Sequence, residues 1–488
     1  IRQMTWLAPD NGPAYRHLWY FLPSGRIAVA LATTAGLGLA YVMAGRLLGP
    51  RLALLALGLL AFDPFLAGHS GLLHTDGLLA TFSLLALLAA ACALRARAPL
   101  GWWALAGLFA GLTVLTKSPG VLVALAVLAG AGLGSLVFAL PPRQADLAAG
   151  VQGTRLTLGE RLARSAAHLV VALAAMALTV GVLYPALWAD PTGVARTLIG
   201  FAGRHTEDTL RPIYFLGRMT FDPGSAFYPL TLLLRASPLV LAGLVIGILR
   251  MRRLPVEQRR LFLGLLAFAV AYGAMMTIGA KKHDRYLLPA LPPLTVAAAM
   301  SVGDWAKRHA GKVVLLQILI TAPFLPYPLT AFSPLAGGPW GAARVMSVDW
   351  GEGMGAAARW LNRQPDAEHL TVAAASVPSF APLFVGRTVP LEQAALADYV
   401  VDSSHQETPG LQQTHRVQLA WLDHAAIYTN TAPLEQAAYL AERTEVADTI
   451  LVDADTPFAR HYHGPATVVS AADLVTSANV ADLIAGLA

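Results

Sequence analysis

The chain is poor in charge and almost free of cysteine. Only 13% of its 488 residues are Asp, Glu, Lys or Arg, against roughly 25% in a soluble domain, too few to cover a surface that faces water on all sides. The single cysteine, Cys92, excludes an internal disulfide and any zinc site built on several thiolates. Neither a Walker loop nor a dinucleotide fingerprint occurs, so nucleotide-driven work has no basis in the sequence. Internal repeats and low-complexity tracts are also missing. The opening residues lack the basic-then-apolar order of a signal peptide, and the chain starts at Ile1, so it is expected to lack its true start.

What the sequence has in quantity is apolar residues, 56% of the total. They come in blocks of about 17–25 residues, long enough to cross a hydrocarbon core roughly 30 Å thick. Blocks at 26–46, 52–68, 77–95, 101–116, 119–140, 166–187, 228–250, 261–280, 286–304 and 313–333 predict about ten spans within residues 1–333. Helix-stopping residues at Gly49-Pro50-Arg51 and Lys117-Ser118-Pro119-Gly120 mark tight connections between antiparallel neighbours.

Arginines and lysines gather in alternate loops: Arg46 and Arg51, then Arg95 and Arg97, then 143–164, 250–260 and 307–312. The positive-inside rule puts these loops in the cytoplasm. The formal charge of +6 therefore reflects membrane topology, and no nucleic-acid partner is expected. The other loops, at 69–76, 117, 188–226 and 281–285, lie outside, as does everything after about Ser333. Beyond that point polar residues return. Strand-like pieces at 370–374 and 449–452 alternate with helix-like ones such as 354–361, which predicts a soluble α/β domain over 334–488. The expected fold is a polytopic α-helical membrane protein with a C-terminal soluble α/β domain.

Four outer constellations carry the chemistry. His69-Ser70-Gly71-Leu72-Leu73-His74-Thr75-Asp76 places an acid and two imidazoles at a membrane boundary, where ionisable groups are costly to keep. Thr75 and Asp76 also suit a plain helix N-terminus. Lys117 stands between two apolar blocks and either snorkels or binds a lipid phosphate. Lys281-Lys282-His283-Asp284-Arg285-Tyr286 sets three fixed cations against the positive-inside bias. Such a cluster fits a phosphate, or the anionic headgroups of the surrounding lipid. The long segment with His205, Arg211, Asp222, Tyr228 and Arg235 has the aromatic content of an interfacial helix that covers a cleft or seals the bundle. His461 and His463 lack a further ligand cluster, and no metal is assigned.

The order of these pieces resembles the polyprenyl-phosphate-sugar-dependent glycosyltransferases of the GT-C fold, the group of protein O-mannosyltransferases and lipid A aminoarabinose transferase. The matching pieces are a span from Arg26 to Gly49-Pro50-Arg51, Thr75-Asp76-Gly77-Leu78-Leu79, Leu115-Thr116-Lys117-Ser118-Pro119 and Arg285-Tyr286-Leu287-Leu288-Pro289. The resemblance covers most of residues 20–335 and implies a GT-C-like transmembrane bundle in the plasma membrane of a prokaryote, with the C-terminal domain outside. It implies inverting transfer of a hexose or pentose from a polyprenyl-phosphate donor to a hydroxyl on a protein, lipid or glycan, without a cofactor.

By that resemblance Asp76 and His74 are the catalytic candidates, Lys117, Lys281, Lys282, His283 and Arg285 bind the lipid phosphate, and His205, Tyr228, Arg235 and Tyr286 line the substrate cleft. Two departures stand out. The acid most often catalytic in this group sits in a first external loop, expected to precede Ile1, and the group's arginine about five residues before Asp76 is here Gly71. The main alternative is a lipid or lipid-linked-sugar flippase, which would hold its polar groups near the bilayer midplane in repeated, broken helices.

Overall fold

The computed structural model describes residues 12–95, 98–134, 157–204, 212–279, 281–402, 411–452 and 457–470. The chain divides into two compact units: Gly25–Val348, and Ile1–Ser24 together with Asp349–Ala488. The first is the helical bundle of an integral membrane protein. Four of its described helices are long and apolar enough to cross a bilayer: Leu22–Leu48 (within α1, Gly12–Leu48), Asp76–Ala93, Leu158–Leu183 and Val256–Ile278. Three bent pairs raise that to seven if each is one broken span.

The bends follow local sequence. Pro50–Ala61 (α2) and Pro64–Ser70 (α3) meet at 63°, where Asp63 accepts hydrogen bonds from the Phe65 and Leu66 amides and Pro64 opens the new helix. Asp-Pro is a helix start. It was concealed within the apolar block 52–68. Ser237-Pro238 does the same between Phe227–Arg235 and Pro238–Arg253, which meet at 116°. The expected span 286–304 is a 3₁₀ turn, Asp284–Ala290, leading into Leu291–Ser301, a helix buried along its whole length.

Between helices in lipid, close packing replaces the hydrophobic effect as the main attraction, which favours small residues at contacts. Gly107 and Gly111, one turn apart on Gly101–Thr116, press against Leu158–Leu183; a Cβ at Gly111 would lie 2.9 Å from the Thr179 Cβ. Gly243 and Gly247 repeat the spacing against Leu291–Ser301, and a Cβ at Gly243 would lie 2.9 Å from that of Ala298.

The first unit extends past the expected boundary at 333. Ser333 donates its amide to the Leu234 carbonyl at 2.7 Å, and the Leu216 amide donates to Val345 at 2.8 Å. The small hairpin β1 (Ile213–Phe215) and β2 (Arg218–Thr220) thereby ties the stretch up to Met346 into the bundle.

The second unit is α/β. Its five-stranded sheet has the order β4 (Arg387–Pro390), β3 (Thr371–Ala374), β5 (Tyr399–Asp402), β7 (Leu422–Asn430), β6 (Leu411–Leu419). The β3–β4 and β3–β5 pairs are parallel, and the β5–β7 and β6–β7 pairs antiparallel. The helix Glu352–Leu361 buries Met354, Ala357, Ala358 and Leu361. That i, i+3, i+4, i+7 stripe shares a core with Val372, Val401 and Ile427 of the sheet. A parallel pair, β8 (Thr449–Val452) and β9 (Thr467–Ser470), completes the described unit.

Candidate functional site

The helix Asp76–Ala93 begins at one of the constellations read from sequence. Asp76 is its first residue and is 1% exposed, so its carboxylate meets the positive end of the helix dipole. Thr75 makes no capping hydrogen bond with its side chain. The Asp76 carboxylate instead gathers groups from other elements.

Lys117 follows the last residue of Gly101–Thr116 in an extended conformation and donates from Nζ to Asp76 Oδ1 at 2.6 Å. His74 Nδ1 lies 3.0 Å from Oδ2, and Arg285 Nε, carried on the 3₁₀ turn, is 3.5 Å from the same oxygen. Tyr286 floors the cluster. Its ring centroid is 4.7 Å from the Lys117 ammonium and 5.6 Å from the Arg285 guanidinium, and the His283 ring meets it edge-on at 5.2 Å.

The cluster is graded in exposure. The Asp76 side chain is enclosed, while Lys117, Arg285 and His74 each keep about a quarter to a third of theirs accessible. Burial pushes the Lys117 ammonium below the usual lysine pKa, the Asp76 carboxylate opposes that shift, and Arg285 and Lys281 add to it. Burial likewise lowers the His283 imidazole, with Arg285 contributing. The result is a partly exposed group of cations around one buried anion.

Other candidates fall elsewhere. Lys282 is turned inward: its ammonium, 2% exposed as a residue, donates to Asp222 Oδ1 at 2.6 Å and to the Gly279 carbonyl at 2.7 Å. Asp222 also receives the Gly224 amide at 2.9 Å, so Lys282 anchors the 221–224 loop. Arg235 is enclosed too. Its Nη2 and Nε donate to Asp284 Oδ2 at 2.6 and 3.0 Å, and its Nη1 donates to the Leu329 and Ala331 carbonyls at 2.7 and 3.2 Å. The rings of Phe332 and Phe65 stand 3.8 and 4.8 Å from its guanidinium carbon. Tyr228 is buried, edge-on to Phe227. His205 lies outside the described residues.

Asp222 and Asp284 are the residues the sequence reading did not assign to the site. Each is bonded to a cation about 50–60 positions away in the chain, and the only signal was the presence of unmatched acids in outer loops.

Residues 22–140 match the family model described as dolichyl-phosphate-mannose-protein mannosyltransferase. That mannosyltransferase-like segment holds His74, Asp76 and Lys117; Lys281, Lys282, His283, Arg285 and Tyr286 lie beyond it. Over residues 22–140 the expected resemblance to protein mannosyltransferases is borne out. Among solved structures, the chain is similar to ArnT from Cupriavidus metallidurans bound to undecaprenyl phosphate. The identity is 16%, the TM-score 0.42, and 84% of each chain is covered. It is also similar to the Archaeoglobus fulgidus oligosaccharyltransferase tethered to an acceptor peptide, at 15% identity and TM-score 0.35, covering 78% of this chain and 58% of that one. No curated protein matches.

Proposed function

We propose that the Gly25–Val348 unit is a glycosyltransferase that moves a sugar from a polyprenyl-phosphate donor to an acceptor hydroxyl on the extracytoplasmic side of the plasma membrane. The observation that carries this reading is the convergence of Lys117, Arg285 and His74 on the buried carboxylate of Asp76. The match of residues 22–140 to the dolichyl-phosphate-mannose-protein mannosyltransferase model supports the donor class.

The chemistry asks for what the cluster offers. When the bond from the anomeric carbon to the phosphate oxygen breaks, its electron pair stays on the phosphate. Fixed cations then matter more than a proton donor. Lys117 and Arg285 are held in position before the donor arrives, Lys117 directly by Asp76, so little reorganisation accompanies charge development. The acceptor oxygen forms its new bond on the opposite face of the carbon, which inverts its configuration. Its proton passes to the His74 imidazole, which Asp76 holds at Nδ1, the Asp76 amide lying 3.3 Å and its Oδ2 3.0 Å away. Lys282 and Arg235 act as positioning residues for the outer loops, through Asp222 and Asp284.

The test is the stereochemistry of the product. Purified protein incubated with an α- or β-configured polyprenyl-phosphate sugar and an acceptor panel yields a product whose anomeric proton coupling reports the opposite configuration. Retention would overturn the direct-displacement reading.

A further inference from the structure

We propose that Asp349, Glu352 and His424 of the C-terminal unit form a binding site for a divalent transition metal of the zinc type. Each offers a donor atom, and the three donors lie within 4.8 Å of one another. Metal–nitrogen and metal–oxygen bonds of about 2.0–2.2 Å place tetrahedral ligands about 3.4 Å apart, so small side-chain rotations close the set. One imidazole with two carboxylates leaves a fourth position for water, and the imidazole favours zinc-like ions over magnesium or calcium.

The backbone builds this site from two directions. Gly351, at φ 85°, takes the left-handed conformation that turns the chain into the helix Glu352–Leu361. The Gly351 amide donates to Asp349 Oδ1 and the Trp350 amide to Glu352 Oε2, both at 2.7 Å, which fixes the two carboxylates side by side. Glu352 Oε1 is buried and has no hydrogen-bond partner. Across from them, β7 carries His424 at an irregularity. Val417 pairs with Ala425 and Gln418 with Asp423, leaving His424 as the extra residue of a bulge, a device that re-aims side chains. Gly353 lets the strand come this close, since a Cβ there would stand 2.7 Å from the His424 carbonyl oxygen.

His424 is the independent sign of a ligand. It is 2% exposed, and neither ring nitrogen has a hydrogen-bond partner. Its Nδ1 lies 3.7 Å from Asp349 Oδ1, beyond hydrogen-bond reach. A buried imidazole normally donates one nitrogen and accepts at the other, and leaving both unmatched costs free energy that coordination at one nitrogen would partly offset. The site belongs to the C-terminal unit and does not depend on the transferase reading.

The experiment uses the full chain in detergent, stripped with a chelator and titrated with zinc against a chromogenic competitor. Wild type is expected to bind one zinc that Glu352→Gln and His424→Gln each weaken by at least about tenfold, with His463→Ala unchanged. Zinc should raise the unfolding temperature of wild type and not of Glu352→Gln. Equal zinc binding in wild type and Glu352→Gln, or loss of zinc on His463→Ala alone, would overturn the assignment. Glu352→Gln preserves side-chain volume, so the test stands even if His424→Gln does not fold.

Discussion

Lys117 and Asp76, 41 positions apart in the chain, are joined by a 2.6 Å hydrogen bond between ammonium and carboxylate. The bond links the end of one apolar helix to the start of another. A carboxylate that is 1% exposed cannot keep its charge in that setting without such partners. In the proposed reaction its neighbours are the cations a departing phosphate needs.

The oriented imidazole gives the first prediction. In the proposed mechanism, His74→Gln removes the group that takes the acceptor proton while keeping a polar side chain. Turnover is expected to fall about 100-fold or more with little change in donor affinity. A rate assay at saturating donor checks it, and unaltered turnover would remove His74 from the mechanism.

Arg235 and Asp284 form the most enclosed ion pair described, with side chains 2% and 5% exposed. Arg235→Met strands a buried carboxylate and is expected to destabilise the bundle by about 3–5 kcal/mol. Adding Asp284→Asn should recover part of that loss. Unfolding curves of the two single variants and the double variant in detergent decide the coupling.

Lys282 and Asp222 predict a local response to acid. The Lys282 hydrogen bond, with the Gly224 amide, holds the Asp222 carboxyl below its ordinary pKa. Its contribution is therefore complete above the unfolded value of about 3.9 and is lost as pH falls through the lower folded value. Asp222 is half exposed, so solvent screens the effect. Asp222→Asn should loosen the 221–224 loop at neutral pH, visible as faster exchange of the Gly224 amide.

Gly107 tests the helix packing. A Cβ there would overlap the Ala172 carbonyl of the facing helix, and backbone cannot move aside as a side chain does. Gly107→Val is expected to cost about 1–3 kcal/mol or more. Folded yield and thermal unfolding in detergent report it, while Gly38→Val, with open space around it, should be tolerated.

Much of the bundle was legible because lipid imposes long apolar runs. Asp76, Lys117 and Arg285 were legible because charge at a membrane boundary stands out against those runs. The helix breaks at Asp63-Pro64 and Ser237-Pro238 were not, since two or three polar residues inside an apolar block leave its mean character unchanged. Lys282 read as part of one basic patch with Lys281 and Arg285. Its inward turn depends on Asp222, some sixty positions earlier in the chain, and no local pattern encodes that. In the C-terminal unit the strand-like stretch 449–452 coincides with β8, whereas the bulge that aims His424 depends on the register between two strands. Register is a tertiary property, so Asp349, Glu352 and His424 were not recognisable as a group.

Lys117 is proposed to stabilise a departing polyprenyl phosphate, and release of that lipid phosphate by purified protein measures this role directly. Wild type is predicted to release it in step with sugar appearing on an acceptor hydroxyl, and Lys117→Met to do so about 100-fold more slowly, with Lys117→Arg in between. Equal release by wild type and Lys117→Met would exclude that role for Lys117, and movement of the intact lipid-linked sugar across a bilayer without release would exclude a transferase.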